Sequence, residues 1–282
     1  MTLTGEQVKG KIKNISKTNK ADARILMRIY MMERFLERLA KSPYSENFII
    51  KGGILVTSMV GVSMRSTMDI DTSIRNINLS EKDALRVITE ISEIDLHDGV
   101  IFKVKKVSGI MDEMEYPGIR IVIDAHMGAM ITPIKIDIST GDIITPRAIE
   151  YDYRLMLEDR SIKLWSYNLE TIFAEKLQTI LSRGILNTRM RDFYDIYTLM
   201  LRYEDSIDKE VLKQAFKATC KKRNTKNLTI SGTQILNSIM HDDRLNSLWN
   251  SYQQKYEYAR EISFEVAIDK AILIYEMMQG LR

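Results

Sequence analysis

The chain has 282 residues, 45% hydrophobic and 28% charged, the balance of one large or two ordinary globular domains. No apolar run approaches the ~20 residues that span a bilayer, and the basic N-terminus lacks the apolar core of a signal peptide, so a cytoplasmic protein without membrane partners is expected. A single cysteine excludes an internal disulfide framework, and with only three histidines beside it a Cys/His zinc cluster is excluded too.

Net charge is +3 but uneven. Residues 1–41 hold ten Lys or Arg against four Asp or Glu, and a second basic cluster comprises Lys217, Lys221, Lys222, Arg223 and Lys226. Basic patches concentrate phosphate-bearing partners. Either patch alone is better read as a solvated helix face or loop.

Residues 21–40 form an amphipathic pattern, with Ile25, Ile29, Met32, Leu36 and Leu39 at helical spacing and basic residues around the rest. Pro43 ends that helix. Residues 47–50 read as a short apolar strand leading into Gly52 and Gly53, and residues 54–60 as a helix starting from that turn. A strand, a glycine turn and a helix N-terminus in series can hold an anion. Glycine lets backbone N–H groups approach a phosphate closely. The GxxxxGK[ST] spacing is absent, so this is not a Walker A loop.

Residues 65–73 read as a strand carrying Asp69 and Asp71. Side chains alternate along a strand, so an Asp-x-Asp pair points to one side while Ile70 turns into a core. Two carboxylates there suit Mg²⁺, which takes oxygen ligands and shares them with substrate phosphates. Ser80 then caps a helix with acids in its first turn. Strands follow at 100–107 and 119–127, with Pro117-Gly118 as a turn between them. Residues 134–140 alternate, isoleucines to one face and Lys135, Asp137 and Ser139 to the other, which makes Asp137 a third strand acid. By itself it is an ordinary polar tooth on a half-exposed strand.

From Tyr167 the pattern is helical. Asn168 caps LETIFAEKLQTILSR, and Lys176 falls inside its apolar arc. Burying an unpaired charge is costly. The lysine therefore either snorkels outward or reaches a paired site, and the second is expected, with its ammonium directed toward the carboxylates and phosphates on the sheet. In TRMRDFYDIYTLMLR, Arg189 lies in the apolar arc and Asp192 at its edge. Asp195 lies opposite and is expected to be a solvated partner of Arg191. Helices follow near 208–220, 242–258 and 262–279, with 221–233 as a polar connector.

KGG, RSTMDID, IKIDIS, ETIFAEKL and TRMRDFYDIY, in this order, resemble the AbiEii toxin family of nucleotidyltransferases, the toxin halves of type IV toxin–antitoxin and phage abortive-infection systems. The resemblance runs from about Phe48 to Leu201. It implies an α+β chain: a polymerase-β-like nucleotidyltransferase core with a C-terminal helical domain. The expected division is an N-terminal helical segment 1–44, a core 45–150 and a helical domain 151–282. It further implies nucleotide binding by Lys51, Gly52, Gly53, Arg65, Ser66, Thr67 and Lys176. Metal binding falls to Asp69, Asp71 and Asp137, and catalysis to Asp69, Asp71, Lys176 and Asp192. Many nucleotidyltransferases carry Gly-Ser where this chain has Gly-Gly. The missing hydroxyl contact then has to come from backbone or from Ser66.

The implied reaction is in-line transfer of a nucleotide from an NTP with release of pyrophosphate, at one or two Mg²⁺ ions. The basic segments favour an RNA acceptor. The family suggests the 3′ end of tRNA, with translation blocked, and a winged-helix transcriptional regulator as antitoxin. Alternatives are a protein hydroxyl or a small molecule as acceptor, or a nucleotide-binding partner protein without catalysis.

Overall fold

The computed structural model describes residues 3–77, 80–110 and 118–280; the expected turn residue Pro117 lies outside them. The chain divides into two compact units, one of residues 1–142 and 149–166, the other of residues 143–148 and 167–282. The expected boundary at 150/151 thus differs from the observed ones, because the chain returns to the first unit for two more strands.

In the first unit, α1 (Gly5–Asn19) and α2 (Ala23–Lys41) precede β1 (Phe48–Lys51), α3 (Gly52–Val60), β2 (Asp69–Ile74), α4 (Glu81–Ser92), β3 (Val100–Ile110), β4 (Gly118–Met127) and β5 (Met130–Thr140). β6 (Ile149–Arg154) and β7 (Ser161–Ser166) complete a seven-stranded sheet of order β3-β4-β5-β2-β1-β7-β6. β2 pairs in parallel with β5, and β1 in parallel with β7. The other neighbours are antiparallel. Alternation in β5 sends Ile134, Ile136 and Ile138 into the core. Ser80 caps α4 as its sequence predicts, accepting from the Asp83 N–H. α1, β6 and β7 are elements that the sequence pattern does not announce.

Helix α2 departs from its expected amphipathic form. Most of its apolar residues are buried, but so are Glu33, Arg34, Glu37 and Arg38. Arg38 forks onto Asp98 with two 2.8 Å bonds. Arg34 reaches Glu37 and Glu158, and Arg160 closes onto Glu37 at 2.7 and 2.8 Å. Part of the N-terminal basic excess is therefore neutralised internally. The lysines of α1 (Lys9, Lys11, Lys13 and Lys17) stay exposed.

Glu33 is the exception in this network. It accepts from the Met156 N–H at 2.9 Å, while its Oε2 is buried without a hydrogen-bond partner. Burial pushes its carboxyl from 4.5 up to about 8. The folded chain therefore holds a proton there that the unfolded chain releases, so stability falls as pH rises through that window. Glu33→Gln is expected to remove this slope and to raise stability at pH 8–9 by about 1–3 kcal/mol. Urea denaturation at pH 5, 7 and 9 measures it; a parallel loss at all three pH values contradicts it.

The second unit packs α5 (Leu169–Arg183), α6 (Met190–Tyr203), α7 (Lys209–Lys222), α8 (Leu228–Met240), α9 (Asp243–Lys255) and α10 (Phe264–Gln279). Its core includes Phe173, Leu177, Phe193, Ile196, Phe216, Leu236, Trp249 and Ile268. α8 overlaps the expected polar connector: its hydroxyl and amide residues face outward while Leu228, Leu236 and Ile239 are buried. Within this unit Thr145 meets the start of α5, where Asn168 Nδ2 donates to its carbonyl at 2.6 Å and Asn168 Oδ1 caps Thr171.

Candidate active site

The turn after β1 is built for absent side chains. Gly52 has φ +60°, a backbone that L-residues rarely adopt, and a Cβ there would run into the Asp71 side chain. A Cβ at Gly53 would stand 2.5 Å from Thr67 Oγ1 and 2.6 Å from an Arg65 guanidinium nitrogen. The Gly-Gly pair is thus a packing requirement, and the space of a Gly-Ser hydroxyl is taken by Thr67 and Arg65. Arg65 is buried and donates to the carbonyls of Gly53 (2.8 Å) and Ser66 (3.2 Å) and to Thr57 Oγ1 (3.2 Å). It ties the first turn of α3 to the loop before β2. Thr67 is buried beside it, and Ser66 is half-buried.

β2 brings Asp71 against that turn. The Gly53 N–H donates to Asp71 Oδ2 at 3.1 Å. Strand register then lays charged residues in one row across the sheet: Lys51 opposite Asp71, Asp71 opposite Asp137, Asp137 opposite Arg120. Asp69 stands opposite Lys135. Asp71 and Asp137 are therefore neighbours on adjacent parallel strands. Burial raises the Asp71 carboxyl above its ordinary value, the Gly53 bond opposes this, and the charges of Asp137 and Asp69 add to it. Asp69 is raised as well, by burial first, against the attraction of Lys135.

The two ends of the row are closed. Arg120 meets Asp137 side-on, Nε to Oδ1 and Nη2 to Oδ2, both at 2.8 Å. Lys51 turns from Asp71 to Asp142, which it meets at 2.6 Å and which also accepts from Ser139 at 2.6 Å. Burial alone would raise Asp142, but Lys51 outweighs it and holds the carboxyl low. Neither Arg120 nor Asp142 is among the residues that sequence motifs single out. Arg120 is legible only once the register of β4 on β5 is known.

Among the described residues no group of three or more His, Cys, Asp or Glu side chains is poised to hold a metal ion. Two carboxylates can suffice for Mg²⁺, which keeps several waters and takes its remaining ligands from substrate phosphates. Asp69 and Asp71 fit that demand: both are partly desolvated, repel each other, and lie on the same side of one strand.

The second unit holds Lys176 between two buried carboxylates. Its Nζ donates to Asp192 Oδ1 at 3.0 Å and to Asp195 Oδ2 at 2.6 Å. Arg189 Nε adds a 2.9 Å bond to Asp192 Oδ2. The described partners of Lys176 are thus carboxylates of α6, where the sequence directed it to carboxylates and phosphates on the sheet. Burial would raise Asp192, but Lys176 and then Arg189 outweigh it and hold it low. Asp195 corrects the sequence expectation. It is fully buried and belongs to Lys176, not to a solvated pair with Arg191. Arg191 instead donates to the Tyr256 hydroxyl at 2.8 Å and lies over its ring. Of the second basic cluster, Lys217, Lys221, Lys222 and Lys226 are exposed, while Arg223 turns inward to Gln178 and Glu175.

No helix among the described residues is long and apolar enough to cross a membrane. No curated protein matches the chain. A candidate nucleotidyltransferase from H. pylori is similar in structure, with TM-score 0.50 and 18% identity, covering 93% of this chain and 99% of that one. The match to JHP933 from Helicobacter pylori has TM-score 0.48 and 17% identity over 92% of this chain and 95% of that one. An antigenic nucleotidyltransferase-like protein from Paracoccidioides brasiliensis matches at TM-score 0.41 and 14% identity, over 73% and 92%. The first of these likenesses shows the fold: an α+β nucleotidyltransferase core followed by helices. The family described as nucleotidyl transferase AbiEii toxin, type IV toxin–antitoxin system, matches residues 34–270. The chain therefore belongs to the AbiEii family of nucleotidyltransferase toxins.

Proposed function

We propose that the protein is a Mg²⁺-dependent nucleotidyltransferase that moves a nucleotide from an NTP onto RNA, at the 3′ end of tRNA, and so blocks translation. The observation that carries this reading is the pair Asp69 and Asp71, desolvated and mutually repelling, beside the Gly52–Gly53 turn at the start of α3. Such a pair is stabilised by a divalent cation. Bound there, Mg²⁺ supplies a Lewis acid for the triphosphate. Gly52 and Gly53 let the turn close onto Asp71, Thr67 and Arg65, and Arg65 and Thr67 hold its shape rather than reach outward. Ser66 remains the hydroxyl beside this turn. Lys51, held by Asp142, keeps a positive charge at the end of the row.

In the transfer, an acceptor hydroxyl oxygen bonds to the α-phosphorus. The bond to the β-phosphate oxygen breaks, pyrophosphate leaves, and the hydroxyl proton passes to a base. Asp137 completes the acidic set in this role or beside the metal. Within its own unit, Lys176 is held by Asp192 and Asp195, and Asp192 is kept ionised by Lys176 and Arg189. The exposed lysines of α1 and of residues 217–226 support RNA as the partner. Type IV membership supports an antitoxin encoded alongside, of winged-helix type, and a part in phage defence.

The test is incubation with total RNA, Mg²⁺ and each α-³²P-labelled NTP. Label retained on tRNA is expected, with loss of at least about 100-fold in Asp69→Asn, the scale of removing one charge-stabilising group. Label on protein, on a small molecule or nowhere overturns the RNA acceptor.

A further inference from the structure

The acid row has a cation at each end, and the two are used differently. Lys51 is drawn off to Asp142, so Asp71 is left with the Gly53 N–H as its close donor. Arg120 is spent on Asp137, with both carboxylate oxygens engaged in the fork geometry that gives guanidinium–carboxylate pairs their strength. The pair is mostly buried, at 28% and 7% side-chain exposure, so solvent screens it little. The third acid of the proposed site is therefore already neutralised by a group of the protein itself. Asp69 and Asp71 have no such fork.

We propose that Arg120 is a latch on Asp137: it withholds the third carboxylate from the metal site until a nucleotide triphosphate is bound. The inference rests on the metal-binding reading of Asp69 and Asp71 given above and adds to it the order of events. With Arg120 on Asp137, a divalent ion meets two carboxylates and binds weakly by itself. An incoming triphosphate is a stronger partner for a guanidinium than a single carboxylate, because it offers several anionic oxygens to the same fork. Transfer of Arg120 to phosphate frees Asp137 beside Asp71, and metal and nucleotide then bind as mutually reinforcing ligands. Arg120 is a positioning residue in this scheme and acts through Asp137. A toxin built this way holds its metal site incomplete until substrate arrives.

The test is direct metal binding, read by Mn²⁺ electron paramagnetic resonance on the full chain, with and without a non-hydrolysable NTP analogue. For the parent protein, weak Mn²⁺ binding that tightens on adding the analogue is expected. Arg120→Gln is expected to bind Mn²⁺ about tenfold more tightly without nucleotide, the order of effect of removing one nearby positive charge, and to lose most of the tightening that the analogue brings. Arg120→Lys keeps the charge without the fork and is expected to fall between the two. Adding Asp137→Asn to Arg120→Gln is expected to cancel the gain. An Mn²⁺ affinity that is unchanged or weaker in Arg120→Gln overturns the latch; should that variant fail to fold, an unchanged affinity in Arg120→Lys overturns it equally. If the parent shows no Asp71-dependent Mn²⁺ binding even with the analogue, the metal reading itself fails, and the two failures are thereby told apart.

Discussion

Asp71→Asn is expected to make the protein more stable and nearly inactive at once. Asp71 is pressed against the Gly52–Gly53 turn, opposite Asp137 and two residues from Asp69. Its carboxyl is raised by burial and by the two neighbouring charges. The sign follows: an acid whose folded value lies above its unfolded value costs stability once pH exceeds the unfolded value, and the cost is complete above the folded value. Asparagine carries no charge and still accepts from the Gly53 N–H. A rise in Tm of about 2–4 °C at neutral pH is expected, what roughly 1 kcal/mol yields in a chain of this size. Transfer activity should fall about 10³-fold, or about 4 kcal/mol of barrier, because the proposed cation would lose one of its two seats. Differential scanning calorimetry beside the labelled-NTP assay checks both. A variant that loses stability, or that keeps activity within tenfold, contradicts this account of the pair.

The second large effect belongs to the other unit. Lys176→Met is expected to cost about 3–5 kcal/mol, the usual penalty for stripping a buried ion cluster of its cation. Asp195 then loses its 2.6 Å partner, and Asp192 keeps Arg189. In the parent, Asp192 is held below its ordinary value, so its contribution is present above about pH 4 and disappears as pH falls through the folded value. The loss in the variant is expected to be larger at pH 8, where the carboxylates of the cluster are charged, than at pH 5. Urea melts of parent and variant at pH 5 and pH 8 decide it. Parallel curves at both pH values would show that Lys176 contributes packing alone.

The sequence made visible what depends on local pattern. The Asp-x-Asp strand, the capped helices at Ser80 and Asn168 and the buried lysine at 176 follow from spacing and cap chemistry. What escaped depends on register or on burial from two sides. Arg120 finds Asp137 only because β4 lies on β5 in one particular alignment. Asp195 looks solvated on a helical wheel with arginines at neighbouring turns, yet α6 is covered on that face too. The charges of α2 broke the apolar rule because Asp98, Glu158 and Arg160 come from distant segments to meet them. Strand β6 offers no clean apolar face, and β7 turns only Ile162 and Leu164 of its apolar residues to its buried side, too short an alternation to stand out.

The excursion of residues 143–148 limits how this toxin can be taken apart. A gene split at 142/143 deprives β1 of its partner β7 and leaves that strand's flank bare. A split at 166/167 gives the first fragment whole, but the second lacks Thr145 and with it the carbonyl that anchors the Asn168 cap. No single scission releases both units intact. Permuted chains that keep 143–148 joined to Tyr167 are the fragments worth making.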